Sequence, residues 1–141
     1  MQDRLGDKIR LLHIVDAINE IENYIQDTDL KGFVDNSMMF NASLRQLEII
    51  GEASNHLSEK LLNSTPSIPW ARIIGLRNLV IHEYFGVDDF TIWNVIKINL
   101  PVLKSEMQLF YLNLKNKKQL NQTRFEQSHV VPREFIAVGF H

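Results

Sequence analysis

Between Leu11 and Ile25 the large apolar residues fall at intervals of three, four, three and four: Leu11, Ile14, Ile18, Ile21 and Ile25. Only an α-helix brings such positions onto one face, and Asp16, Glu20 and Glu22 occupy the opposite, wet side. The same beat returns near the other end in Trp93, Ile96, Leu100, Leu103, Met107, Phe110 and Leu114. No segment before residue 130 alternates apolar and polar residues as a half-buried strand would. A helix with one apolar stripe must bury it against other helices. The pattern therefore predicts an all-α fold, an antiparallel four-to-five-helix bundle with short connections.

Between these two stripes the punctuation is regular. Thr28 and Asp29 suit the cap of a short helix holding Leu30 and Phe33. Asn36 or Ser37 opens a second long helix, expected to run to about Leu62 with a core face of Leu47, Ile50, Leu57 and Leu61 and with Ala53 beside it. Gly51 lies inside it, where glycine costs about 1 kcal/mol relative to alanine and marks the close approach of another backbone. Asn63 to Ser67 reads as a loop. Pro69 suits a first helical position, and Trp70 to Phe85 reads as a buried third long helix. Asp88 or Asp89 caps the fourth, and Pro101 predicts a kink near Asn99. Asn116 to His129 is polar and reads as poorly ordered, and the chain turns apolar again from His129 to His141. The expected division is 1–115 for the bundle and 116–141 for an extension of unassigned role.

A chain of 141 residues with 45% apolar and 23% charged residues is one domain with enough material for a core. It has no cysteine, which excludes disulfides and thiolate zinc sites. The start, MQDRLGDKIR, lacks the apolar core of a signal peptide, and no apolar run approaches membrane-spanning length. The expected location is the cytoplasm. Net charge is −2, unevenly placed: residues 1–112 hold 10 Lys/Arg against 15 Asp/Glu, and residues 113–141 hold 5 against 2. The body would repel a polyanion, so any nucleic-acid contact must be a local site or the tail.

The segment Arg77-Asn78-Leu79-Val80-Ile81-His82-Glu83-Tyr84 carries the chemistry. Arginine offers a fixed fork of donors for phosphate oxygens, and histidine exchanges protons near neutral pH. On a helix Arg77 and His82 stand roughly 7.5 Å apart along the axis and about 140° around it. They do not share a face, whereas Asn78 and His82 do. A symmetric dimer that brings two copies of this helix together would pool the residues into one cleft. Such a cleft needs no metal to cleave RNA. One His82 would take the 2′-hydroxyl proton, Arg77 would stabilise the phosphate charge, and a second His82 would protonate the leaving 5′-oxygen. Asn78 would orient the imidazole or hydrogen-bond the phosphate. Plainer readings stand beside this. His82 can serve as a cation at a helix C-terminus, Tyr84 as a half-buried aromatic, and His13 and His56 as lone histidines. Glu48, Glu52 and His56 share a helical face but lack a second histidine, and read as a solvated stripe rather than a metal site. Gly75 and Gly86 do not form a phosphate loop.

Three motifs in fixed order carry a resemblance: Leu44-Arg45-Gln46-Leu47-Glu48-Ile49-Ile50-Gly51-Glu52-Ala53, then Ile68-Pro69-Trp70, then Gly75 through Asp88. From about Asp7 to Met107 the chain resembles the HepT group of HEPN-domain toxins. The resemblance implies an all-α bundle that homodimerises to form a ribonuclease site from Arg-x4-His, here Arg77 and His82, with Asn78 supporting. It also implies a minimal nucleotidyltransferase antitoxin that transfers AMP from ATP to Tyr84, and an RNA substrate, transfer or messenger. No metal and no cofactor are expected. The alternative is a non-catalytic nucleotide- or substrate-binding partner of that nucleotidyltransferase. Residues 116–141 depart from the group's pattern, and a role in partner binding is the leaning there.

Overall fold

The computed structural model describes residues 4–83 and 88–129, with all side chains in those ranges except Arg4, Leu5, His82, Glu83, Leu114 and His129. Among the described residues there are helices and no strands. The chain divides into two compact units, Met1–Gln108 and Leu109–His141.

The first unit is built around α3 (Ser37–Asn55), against which α1 (Arg4–Tyr24), α2 (Leu30–Asp35), α5 (Trp70–Ile74) and α6 (Leu76–Glu83) all pack. The stripe of α1 meets this arrangement as its spacing requires: Leu11, Ile14, Ile18 and Ile21 are buried, as is Ile25 just beyond the helix. Asp29 caps α2 by accepting from the Gly32 amide, and Asn36 caps α3 by accepting from Met39. Phe33 on α2 is fully buried and meets the rings of Phe40 and Trp93 at 5.2 and 5.1 Å between centroids, tying α2 to α3 and α7 (Asp89–Asn94). Such tilted pairs add to the gain from area burial alone. Glu22, expected on the wet side of α1, is half-buried and paired with Lys104 of α8 (Leu100–His129) at 2.9 Å.

Three expectations about helix limits are corrected. The helix opened by Asn36 ends at Asn55 rather than near Leu62, and a separate α4 (Glu59–Ser64) follows. The break is caused by Ser58, whose side chain caps α4 at the Leu61 amide. Buried Asp7 holds Ser58 in turn, accepting from its amide at 2.9 Å and from its hydroxyl. One carboxylate near the start of α1 thus secures a turn 51 residues later. The expected third long helix is two pieces, α5 and α6, meeting at Gly75. Pro69 takes the cap position of α5 and not its first helical one. That stretch is not buried throughout: Trp70, Ile73, Leu76 and Val80 are, while Ala71, Arg72, Arg77, Asn78 and Ile81 face out. Phe85 lies outside the described residues. The loop before α5 is fixed by a buried relay in which Trp70 Nε1 donates to Thr65 Oγ1 (2.8 Å) and Thr65 donates to the Leu61 carbonyl (2.9 Å).

Near Asn99, where Pro101 predicts a kink, the chain departs from α-helical hydrogen bonding. Proline has no amide hydrogen to close the helical ring, and the preceding segment Val95–Asn99 is a π-helical turn, with the Leu100 amide reaching back to the Val95 carbonyl. The third correction concerns residues 116–129, expected to be poorly ordered. They continue α8 as helix to His129, with the side chains from Lys115 to Ser128 exposed. The apolar residues beyond lie outside the described residues.

Candidate functional site

Gly51 decides where Arg77 stands. A Cβ at Gly51 would lie 3.0 Å from the Arg77 backbone nitrogen and 3.3 Å from the Ile74 carbonyl oxygen. Glycine lets the α5–α6 junction sit directly on α3, the close approach that a glycine in a helix interior predicts. Leu76 and Val80, four residues apart, are the buried side of α6. Arg77 and Asn78 consequently project from the bundle, both exposed. Position 82 follows Asn78 by four residues and falls on the same side of the helix.

The neighbour of Gly51 then takes the Arg77 side chain. Glu52 Oε1 accepts from Arg77 Nη1 at 2.5 Å, with the arginine side chain 56% and the carboxylate 40% exposed. Oε2 of Glu52 stands 3.9 Å from His56 Nε2, and Glu48, one turn back, pairs with Arg45 at 3.1 Å. Glu48 and Glu52 on this stripe are thus each engaged by an arginine. Among the described residues no cluster of metal-ligating side chains occurs.

Of the residues singled out in the sequence, Arg77, Asn78 and His82 are brought onto one helix, α6. The His82 side chain and the whole of Tyr84 lie outside the described residues. Glu52 is the member that sequence reasoning assigned elsewhere. Its signal was present in the Gly51-Glu52 pair: a glycine that admits a backbone places the next residue beside whatever that backbone carries. The arrangement offers an exposed guanidinium whose position is set twice, by backbone contact at Gly51 and by charge at Glu52. Such a group can receive a phosphate without first being ordered.

The sequence matches the family described as Ribonuclease HepT-like over residues 14–110. A candidate RNase of Methanocaldococcus jannaschii is 36% identical over 102 residues, covering 72% of this chain and 94% of the relative. A second from the same organism is 34% identical over 110 residues, covering 78% and 95%. A protein of Thermococcus cleftensis designated "Probable ribonuclease HepT" is 35% identical over 95 residues, covering 67% and 86%. No solved structure matches. With the match spanning most of the bundle, including both α3 and α6, this chain belongs to the HepT-like ribonuclease family.

Proposed function

We propose that the protein is a metal-independent endoribonuclease whose site forms where two copies meet, with Arg77 and His82 as catalytic residues and Asn78 supporting them. The observation that carries the reading is the placement of Arg77: exposed on α6, braced by Glu52, and on a helix that also holds position 82. Residues five apart on one helix point in different directions, so a second copy of α6 is the economical way to complete the constellation.

The reaction follows from these groups. His82 of one copy takes the proton of a ribose 2′-hydroxyl, and that oxygen attacks the adjacent phosphorus. Arg77 stabilises the charge gathering on the phosphate oxygens. His82 of the other copy, protonated, gives its proton to the leaving 5′-oxygen. The products are a 2′,3′-cyclic phosphate and a free 5′-hydroxyl, and DNA is spared because it lacks the nucleophile. The substrate is cellular RNA, transfer or messenger, and the protein acts as the cytoplasmic toxin of a toxin–antitoxin pair.

Control falls to Tyr84, two residues after His82. A nucleotidyltransferase antitoxin transfers AMP from ATP to the phenolic oxygen and releases pyrophosphate. The added phosphate places bulk and negative charge beside the cleft and opposes an incoming RNA phosphate.

The test is cleavage of RNA in EDTA by the purified chain, compared with Arg77→Ala and His82→Ala, each checked for folding by circular dichroism. Activity in EDTA that drops by about 100-fold or more in each variant supports the reading. An inactive wild-type chain shown by mass spectrometry to carry no AMP would overturn it in favour of a nucleotide-binding role.

A further inference from the structure

An open groove of about 450 Å³ runs between α1 and α3, and Glu52, the partner of Arg77, is part of its wall. Ile9 and Ile49 give it an apolar lining, and Arg10, His13, Arg45 and His56 add a cationic and titratable one. Arg10 supplies the sharpest clue. Its Nη1 is buried and has no hydrogen-bond partner. An unpaired guanidinium donor is a position at which an acceptor is missing, and a phosphate oxygen is the acceptor that arginine geometry suits best. Among the described residues of the lining Glu52 is the one carboxylate, and its charge is committed to Arg77. Arg45 is paired with Glu48 at 3.1 Å, so Arg10 is, among the described residues, the lining cation left with an unmet donor, close to the partner of the proposed catalytic arginine.

We propose that the groove is a nucleotide subsite for single-stranded RNA. Arg10 and Arg45 take a backbone phosphate neighbouring the scissile one, and the attached base, unstacked from its neighbours, lies on Ile9 and Ile49 with His13 and His56 beside it. A duplex keeps its bases paired and stacked and cannot deliver one into a groove, so the site selects loops, bulges and open strands. The assignment of this subsite to the substrate rests on the reading of α6 as the cleaving helix, because Glu52 joins the two.

The probe is a short, fluorescently labelled 2′-O-methyl oligonucleotide carrying 4-thiouridine, which binds but cannot be cut because the attacking hydroxyl is blocked. Binding is followed by anisotropy, and photo-crosslinks are mapped by mass spectrometry on the full-length chain. We expect crosslinks within residues 6–13 or 45–56. Arg10→Gln and Arg45→Gln are each expected to weaken binding about tenfold and to lower the salt dependence by about one counterion. Arg45 is exposed and its removal leaves the core intact, so that variant keeps the test valid even where Arg10→Gln folds poorly. Unchanged affinity in Arg45→Gln, or equal binding of a perfect duplex of the same sequence, overturns the proposal. So does a changed sedimentation coefficient with unchanged RNA affinity, which makes the groove a contact between copies. Cleavage of natural RNA is scored separately. Loss there with groove crosslinks intact defeats the cleavage reading alone, and cleavage with crosslinks elsewhere defeats the groove alone.

Discussion

The backbone nitrogen of Arg77 lies 3.0 Å from where the Cβ of any other residue at Gly51 would stand. Gly51→Ala therefore sets two effects against each other. Alanine gains about 1 kcal/mol of helix propensity, while pressing a methyl group onto another helix's backbone costs about 1–3 kcal/mol. The atoms it meets are backbone nitrogen and carbonyl oxygens, which cannot rotate aside as a flexible side chain would. We expect net destabilisation in urea unfolding, with a larger proportional loss of RNA cleavage because Arg77 moves with α6. A variant as active as wild type would separate the Gly51 contact from the site.

Glu52→Gln isolates the second restraint on Arg77. The pair is largely exposed, and exposed ion pairs contribute only about 0–1 kcal/mol to folding. The melting curve should hardly move. Cleavage should fall by about tenfold, since an arginine without its brace must be ordered by the substrate. Comparison of kcat with KM then tells whether the brace acts in the transition state or on binding.

Asp7 lies in the chain far from Arg77, and its effect should be purely one of stability. Asp7→Ala leaves the Ser58 amide without its acceptor at the start of α4. A part-buried donor left unpaired costs about 1–3 kcal/mol. Urea midpoints of Asp7→Ala and Ser58→Ala should both fall, and the double variant should lose less than the sum because the two residues share one interaction.

Phe33 is the keystone of the aromatic cluster, fully buried between Phe40 and Trp93. Phe33→Ala should destabilise by about 3–5 kcal/mol, and Trp93 fluorescence reports the loss directly. Phe33→Leu, which keeps most of the volume, should recover the larger part.

Much of this molecule was legible in its letters because helices announce themselves locally. The stripe from Leu11 to Ile25, the caps at Asp29, Asn36 and Asp88 and the proline at 101 depend on neighbours within a few residues. The motif around Arg77 was legible for the same reason, together with its resemblance to the HepT group. What the sequence misplaced were the helix limits near Ser58 and Gly75 and the role of Glu52. The first and the last of these were settled by a residue distant in the chain. Asp7 reaches Ser58 across 51 positions, and Glu52 meets Arg77 only because Gly51 lets two helices touch. Periodicity records which face of a helix is buried, but not which partner covers it. The tertiary structure made that choice, and with it turned an acid on a solvated stripe into the brace of the candidate catalytic arginine.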